Sequence, residues 1–331
     1  MRTTKAILFK GVHQVYVEPV EIPEAGPGEL LLEALFTLIS PGTELRCLAG
    51  KESGLQFPFI PGYAFLGRVI ARGPGTRLPL GSLAFCTGTT RASVDLGWGG
   101  HCGLAVQAES AVYPLPRHVD PLSGAAAKLA AIAYRGLRLA RPQPHETVAL
   151  IGLGAIGQCS ARLFALSGAR VVAADLSEAR VEIARQAGIE AFVPQDDLST
   201  GFRQFLPGGA DIVVDATGVP AVLKQAVAVA KEKAWDDAVA PGARVIVQGS
   251  YPADFSVPYR SVFMKELSFW IPRDVQPRDL RTIFDLLRRG KLALADIVSA
   301  VYPPDEAPDC YATLSDPDPT LVTVAFQWRE L

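Results

Sequence analysis

Gly152-Leu153-Gly154-Ala155-Ile156-Gly157 directly follows the apolar run Val148-Ala149-Leu150-Ile151 and opens an alanine-rich stretch. Glycines at this spacing permit a tight turn, let backbone approach a pyrophosphate, and let the next helix pack close to the strand. The start of that helix then offers unpaired N–H groups and a positive dipole end to phosphates. A second apolar run, Ala169-Arg170-Val171-Val172-Ala173-Ala174, ends on Asp175, about 20 residues past the turn. A carboxylate there accepts hydrogen bonds from the adenosine ribose hydroxyls and repels a 2′-phosphate, which selects NAD(H) over NADP(H). The expected dinucleotide contacts are Gly152, Gly154, Ala155, Ile156, Gly157, Asp175, Leu176 and Arg180. Thr217, Gly218, Gly249 and Ser250 join them from two loops that each follow an apolar strand, where ligands of open α/β sheets lie.

The elements that must hold this turn change in rhythm along the chain. Residues 1–118 read as short β runs (5–9, 15–19, 29–37, 67–71, 82–86, 104–107) with turns at Pro27-Gly28, Pro61-Gly62 and Pro74-Gly75, the pattern of a barrel-like unit. A helix is predicted over 123–139. Strands (147–151, 169–174, 211–215, 244–249, 267–271) then alternate with helices (155–167, 177–187, 219–233), which implies a doubly wound parallel sheet. The tail reads as α+β: a helix over 277–290, a strand over 297–302, a helix over 306–314, a loop at Asp316-Pro317-Asp318-Pro319 and a strand over 321–328.

The chain has 331 residues, 49% of them hydrophobic and 20% charged, a balance that argues against extensive disorder. Its 32 basic and 34 acidic residues leave a net charge of −2, without the basic excess of a nucleic-acid binder. No apolar run is long enough to span a bilayer, and the N-terminus lacks the pattern of a signal peptide. Five scattered cysteines, none in a CxxC pair, suit reduced thiols in a cytoplasmic protein.

A β-rich unit, a dinucleotide domain and a returning tail resemble the medium-chain dehydrogenase/reductase superfamily over the whole chain. The anchors are Ile39-Ser40-Pro41-Gly42-Thr43-Glu44, Phe59-Ile60-Pro61-Gly62-Tyr63-Ala64-Phe65-Leu66-Gly67, Gly99-Gly100-His101-Cys102 and the glycine turn. The resemblance implies a GroES-like β-barrel catalytic domain over 1–135, a Rossmann domain over 136–272 and a return to the first domain over 273–331, with a homodimer as the common assembly. Zinc members carry Cys-Gly-Thr-Asp and Pro-Gly-His-Glu segments and a third ligand six residues before a helical Tyr. Here Pro41-Gly42-Thr43-Glu44 and Pro61-Gly62-Tyr63-Ala64 stand at the first two, and counting back from Tyr134 gives Lys128. No ligand remains at these three positions, and the run of cysteines for a structural zinc is missing. The chain thus resembles a zinc-free branch. Ser40-Pro41-Gly42-Thr43-Glu44, with Phe263-Met264-Lys265-Glu266, Pro277-Arg278-Asp279-Leu280 and Gly290-Lys291-Leu292, is similar to the bacteriochlorophyllide a dehydrogenase-like group.

Interconverting an alcohol and a ketone requires stabilisation of an alkoxide and movement of a proton. At the lost ligand positions the expectation is that the Lys128 ammonium stabilises the oxyanion and activates Tyr63, that Tyr63 passes the proton, and that Ser40, Thr43 and Glu44 complete a relay. Lys128 is the odd residue of an otherwise small and apolar segment, where a lysine is costly unless it reaches water, a carboxylate or a ligand. Lysine snorkelling or pairing with Glu44, and plain packing of Tyr63, are the bland alternatives. His101 is a candidate substrate contact or an exposed loop residue, and 91–98 a lid or substrate loop with Asp95 and Trp98 as contacts; Cys86 and Cys102 are expected to be inert. The leading function is a zinc-independent, NAD(H)-dependent dehydrogenase for a secondary alcohol or its ketone in specialised metabolism. An NADPH-dependent enoyl or quinone reductase and a non-catalytic NAD-binding scaffold are the alternatives.

Overall fold

The structure is a computed structural model, and it describes residues 1–236, 241–251, 254–315 and 320–330. The loop expected at Asp316-Pro317-Asp318-Pro319 lies outside the described residues. The chain divides into two compact units, one of Met1–Lys128 with Gln276–Leu331 and one of Leu129–Val275.

The first unit is built on the strand Glu29–Leu38, whose near-continuous apolar sequence is buried along most of its length. It pairs antiparallel with Phe65–Arg72, with Leu104–Ala108 and with the late strand Thr323–Gln327. Val298–Tyr302, Leu83–Cys86 and Tyr113–Pro114 complete this seven-stranded sheet. A four-stranded sheet runs in the order Gln14–Ile22, Arg2–Gly11, Phe59–Ile60 and Asp95–Leu96. The register Phe326↔Thr37 and Ala325↔Leu38 sets the end of the chain beside residues 37–44.

Two local features depart from the sequence expectation. The Ser40-Pro41-Gly42-Thr43-Glu44 segment starts a helix, Pro41–Leu48, with Ser40 at the N-cap and Pro41 in the first turn; proline's missing N–H costs nothing there. The single helix expected over 123–139 is two, Pro121–Ala125 and Ala127–Ala140, so Lys128 sits in the first turn of the second.

The second unit is a six-stranded sheet in the order Glu190–Phe192, Arg170–Ala174, Thr147–Ile151, Ile212–Asp215, Arg244–Val247 and Ser268–Trp270, parallel throughout. The strand order reverses between Thr147–Ile151 and Ile212–Asp215, and ligands of such sheets sit beyond the strand ends at that reversal. Gly152 and Ala216 leave the two strands there, tied by an Ala216 N–H bond to the Ile151 carbonyl at 2.8 Å. The helix Pro220–Val229 stops short of the expected 233. Lys265 Nζ donates to the carbonyls of Ala228 and Ala230 at its end, at 3.1 and 2.5 Å. No helix among the described residues is long and apolar enough to cross a membrane.

Candidate functional site

The glycine turn has the backbone that its spacing predicts. Gly152 lies at φ +90°, and Gly154 caps the helix Ala155–Leu166. A side chain at Gly157 would put its Cβ 1.8 Å from the Gly152 carbonyl oxygen, whereas one at Gly154 would meet nothing within 4 Å. Close packing at one glycine and open space at the other are what a pyrophosphate cradle requires. Asp175 braces the turn: its carboxylate accepts the Leu153 N–H at 2.6 Å and the Ser177 N–H at 2.9 Å. Leu176 beside it is exposed, and the Arg180 carbonyl accepts from Gln158 Nε2 at 2.8 Å.

Thr217, Gly218, Gly249 and Ser250 are brought together by the neighbouring strands. A Cβ on Gly249 would lie 2.2 Å from the Gly218 nitrogen, and one on Gly218 would lie 2.5 Å from the Ser250 carbonyl oxygen. Asp215, missed by sequence reasoning as an anchor, is fully buried. It accepts from the Thr217 N–H and hydroxyl at 2.9 and 2.6 Å and from the Tyr251 hydroxyl. Burial first, and then the Asp215 carboxylate, hold the Tyr251 phenol far above its usual range, so Tyr251 acts as a donor.

In the first unit Tyr63 and Lys128 come together. The Tyr63 hydroxyl donates to Ser40 Oγ at 2.5 Å and lies 3.1 Å from Thr43 Oγ1. The Lys128 ammonium sits over the Tyr63 ring, 5.5 Å from its centroid, within reach of a cation–π attraction. Tyr63 is 8% exposed and Lys128 6%, so the group is largely shielded from water.

Tyr63 is positioned by two glycine loops that nest on each other. Gly100 N–H donates to the Gly62 carbonyl at 2.8 Å and His101 N–H to the Pro61 carbonyl at 3.0 Å. Gly62 lies at φ +85°, and a Cβ there would come within 2.5 Å of the His101 ring. Trp98 stands next to them at φ +73°, held by Gly97 and Gly99 N–H bonds to the Ile60 carbonyl. It leaves 42% of its surface exposed and meets Tyr63 edge-on at 5.4 Å. Asp95 is exposed and pairs with Phe59 in a short parallel ladder. Segment 91–98 is therefore pinned to the barrel and is no free lid: Ser93 N–H also reaches the Glu21 carbonyl at 3.0 Å, and Arg91 reaches Glu29 at 2.6 Å.

The expected role of His101 as a substrate contact or exposed loop residue is corrected by its burial. It is 0% exposed, with Nε2 2.9 Å from Glu44 Oε2 and Nδ1 2.7 Å from Thr37 Oγ1. Glu44 is equally buried and accepts the Ser40 N–H and the Tyr311 hydroxyl, so it stands behind Ser40 with no path to a ligand. Thr37, Tyr311 and Trp328 carried no local signal in the sequence, because each meets its partner across most of the chain. All five cysteines are buried and none is in a disulfide. Desolvation pushes the Cys86 and Cys102 thiols up to about 12. Among the described residues no three His, Cys, Asp or Glu side chains gather to hold a metal.

A family model described as zinc-binding dehydrogenase matches residues 155–288; positions 41–44, 63, 64 and 128 lie outside that match. The chain is 28% identical over 339 residues, 99% of each protein, to 2-desacetyl-2-hydroxyethyl bacteriochlorophyllide A dehydrogenase of Cereibacter sphaeroides. Among solved structures it is similar to the alcohol dehydrogenase TADH of Thermus sp. ATN1, with a TM-score of 0.82 and 25% identity over 98% of this chain and 100% of that one. Acetophenone reductase of Geotrichum candidum, solved in complex with NAD, shares the fold with a TM-score of 0.83 and 19% identity, covering 99% and 98%. With its parallel sheet and β-rich companion unit, the chain is similar to alcohol dehydrogenases over nearly its whole length and matches the zinc-binding dehydrogenase family over residues 155–288.

Proposed function

We propose that the chain is a zinc-independent, NAD(H)-dependent dehydrogenase/reductase that interconverts a secondary alcohol and a ketone, acting in specialised metabolism. The observation that carries this reading is the Lys128 ammonium over the Tyr63 ring, with the Tyr63 hydroxyl on Ser40. A phenol and an ammonium stand at positions where catalytic zinc needs thiolate, imidazole or carboxylate donors, and this donor set does not suit the metal.

NAD⁺, held by the Gly152–Gly157 turn with Asp175, Thr217 and Gly218, would supply the hydride acceptor. Tyr63 takes the hydroxyl proton of the alcohol as its own hydrogen passes to Ser40 or Thr43, and the Lys128 charge steadies the oxyanion formed on the way. Thr43, only partly buried, is the exit to solvent. Asp175 supports NAD(H): a carboxylate has about four acceptor positions, and two backbone N–H groups occupy only part of them. Trp98 and Asp95 are the side chains offered to substrate, and the exposed Trp98 face suits a flat apolar substituent next to the carbinol.

A homodimer is part of the proposal. The edge strand Ser268–Trp270 has exposed Tyr259, Phe263, Met264 and Ile271 near it in sequence, and an open strand edge with apolar surroundings suits pairing with a second copy. Five buried thiols outside any disulfide suit a reducing cytoplasm. The test is oxidation of 1-phenylethanol by NAD⁺ after exhaustive treatment with a zinc chelator. Undiminished turnover is expected; loss restored by zinc alone would overturn the metal-free reading.

A further inference from the structure

Glu44 has no exposed surface, and three donors converge on its carboxylate. The Ser40 N–H reaches Oε1 at 2.7 Å, while His101 Nε2, at 2.9 Å, and the Tyr311 hydroxyl reach Oε2. On its other side His101 Nδ1 lies 2.7 Å from Thr37 Oγ1, which accepts from Trp328 Nε1 at 2.9 Å. The two ends set the direction of this chain, because an indole N–H only donates and a carboxylate only accepts. Thr37 takes the indole hydrogen on a lone pair, and at the other end Glu44 can only accept. His101 therefore carries its proton on Nε2, facing Glu44. Burial first, and then the Glu44 charge, keep the Tyr311 phenol well above a tyrosine's usual value, so it remains a donor.

Ile39, the residue before Ser40, is held at both of its backbone groups. Its N–H reaches the Val324 carbonyl at 3.0 Å, and its carbonyl accepts the Thr323 hydroxyl at 2.5 Å. Tyr311 lies 267 positions from Glu44, and Trp328 lies 291 from Thr37. The returning end of the chain thus grips the segment that presents Ser40 to Tyr63.

We infer that Tyr311 and His101 are positioning residues for the proton step: they lock the Glu44 carboxylate onto the Ser40 amide and so hold Ser40 Oγ where Tyr63 delivers its hydrogen. This rests on the reading of Tyr63 as the proton-transfer group. A network satisfied at every member is rigid, and losing one donor loosens the rest.

The test is a double-mutant cycle on the full chain with 1-phenylethanol and NAD⁺. Tyr311→Phe is expected to lower kcat roughly tenfold, as loss of a hydrogen bond to a charged group does, with KM for the alcohol and affinity for NADH within about twofold. In a Tyr63→Phe background the same change is expected to leave the residual rate unaltered. A loss that multiplies in that background, or an unaltered kcat in Tyr311→Phe alone, overturns the inference. Full activity of Tyr63→Phe by itself overturns the Tyr63 reading instead. Should Tyr311→Phe fail to fold, Trp328→Phe runs the same cycle with an expected loss of about threefold. Independently of turnover, ¹⁵N spectra of the four histidines, with His101 identified by its loss in His101→Gln, are expected to show a proton on Nε2. A proton on Nδ1 alone reverses the chain and overturns the inference.

Discussion

The Lys128 ammonium lies 5.5 Å from the centre of the Tyr63 ring, and the hydroxyl of that ring is bonded to Ser40. A cation in this place favours negative charge on a nearby oxyanion. The attraction is worth about 0.5–2 kcal/mol for the resting pair, and a proton-transfer group commonly contributes about 100-fold or more. Tyr63→Phe is expected to cut kcat at least about 100-fold, and Lys128→Met about tenfold. Steady-state rates on 1-phenylethanol decide this; near-native turnover in both variants would sink the mechanism.

Under the proposed function, Asp175 selects between the two nicotinamide dinucleotides. Replacing it by Ala removes the acceptor for the ribose hydroxyls and the repulsion of a 2′-phosphate. KM for NAD⁺ is expected to rise about tenfold while that for NADP⁺ falls, as parallel titrations with each cofactor would record. An unaltered preference would mean that another residue reads the ribose.

Gly157 faces a backbone oxygen that cannot retreat. With the Cβ of Gly157→Ala only 1.8 Å from the Gly152 carbonyl oxygen, helix and turn must part. NADH affinity measured by fluorescence is expected to weaken by tenfold or more, on the order of 1.4 kcal/mol.

Trp98 holds a left-handed backbone, φ +73°, which costs a residue other than glycine on the order of 1 kcal/mol. Trp98→Gly is expected to leave thermal stability unchanged or slightly raised, since the relief of strain offsets the lost ring contact with Tyr63. Its kcat/KM is expected to fall about tenfold for 1-phenylethanol and far less for 2-butanol. An equal fall on both alcohols would assign the ring to structure alone.

The thiols of Cys47, Cys86, Cys102 and Cys310 are pushed up to about 12, burial being the main cause at each. At pH 8 their thiolate fraction is then on the order of one in 10⁴. Iodoacetamide is expected to leave the folded protein unlabelled at these four and fully active, with rapid labelling after unfolding, as mass spectrometry would follow.

Local patterns carried much of the fold and all of the dinucleotide turn. Strand alternation, helix periodicity and a glycine spacing are properties of a few consecutive residues, so the turn, Asp175 and the parallel sheet were legible from neighbours in the chain. The break before Lys128 was not, because alanines suit one helix as well as two. The same limit explains His101. Its glycine-rich setting reads as an exposed loop, yet that setting lets the Pro61-Gly62 backbone close over the ring. Sequence alone determined which residue types stand at positions 40–44, 63 and 128, and so which groups the proposed proton step can use. Only the tertiary structure decided which of them touch. The Tyr63–Lys128 contact and the Tyr311–Glu44–His101–Thr37–Trp328 network join residues far apart in sequence, and the network follows from the register between the strands Glu29–Leu38 and Thr323–Gln327, which no local pattern encodes.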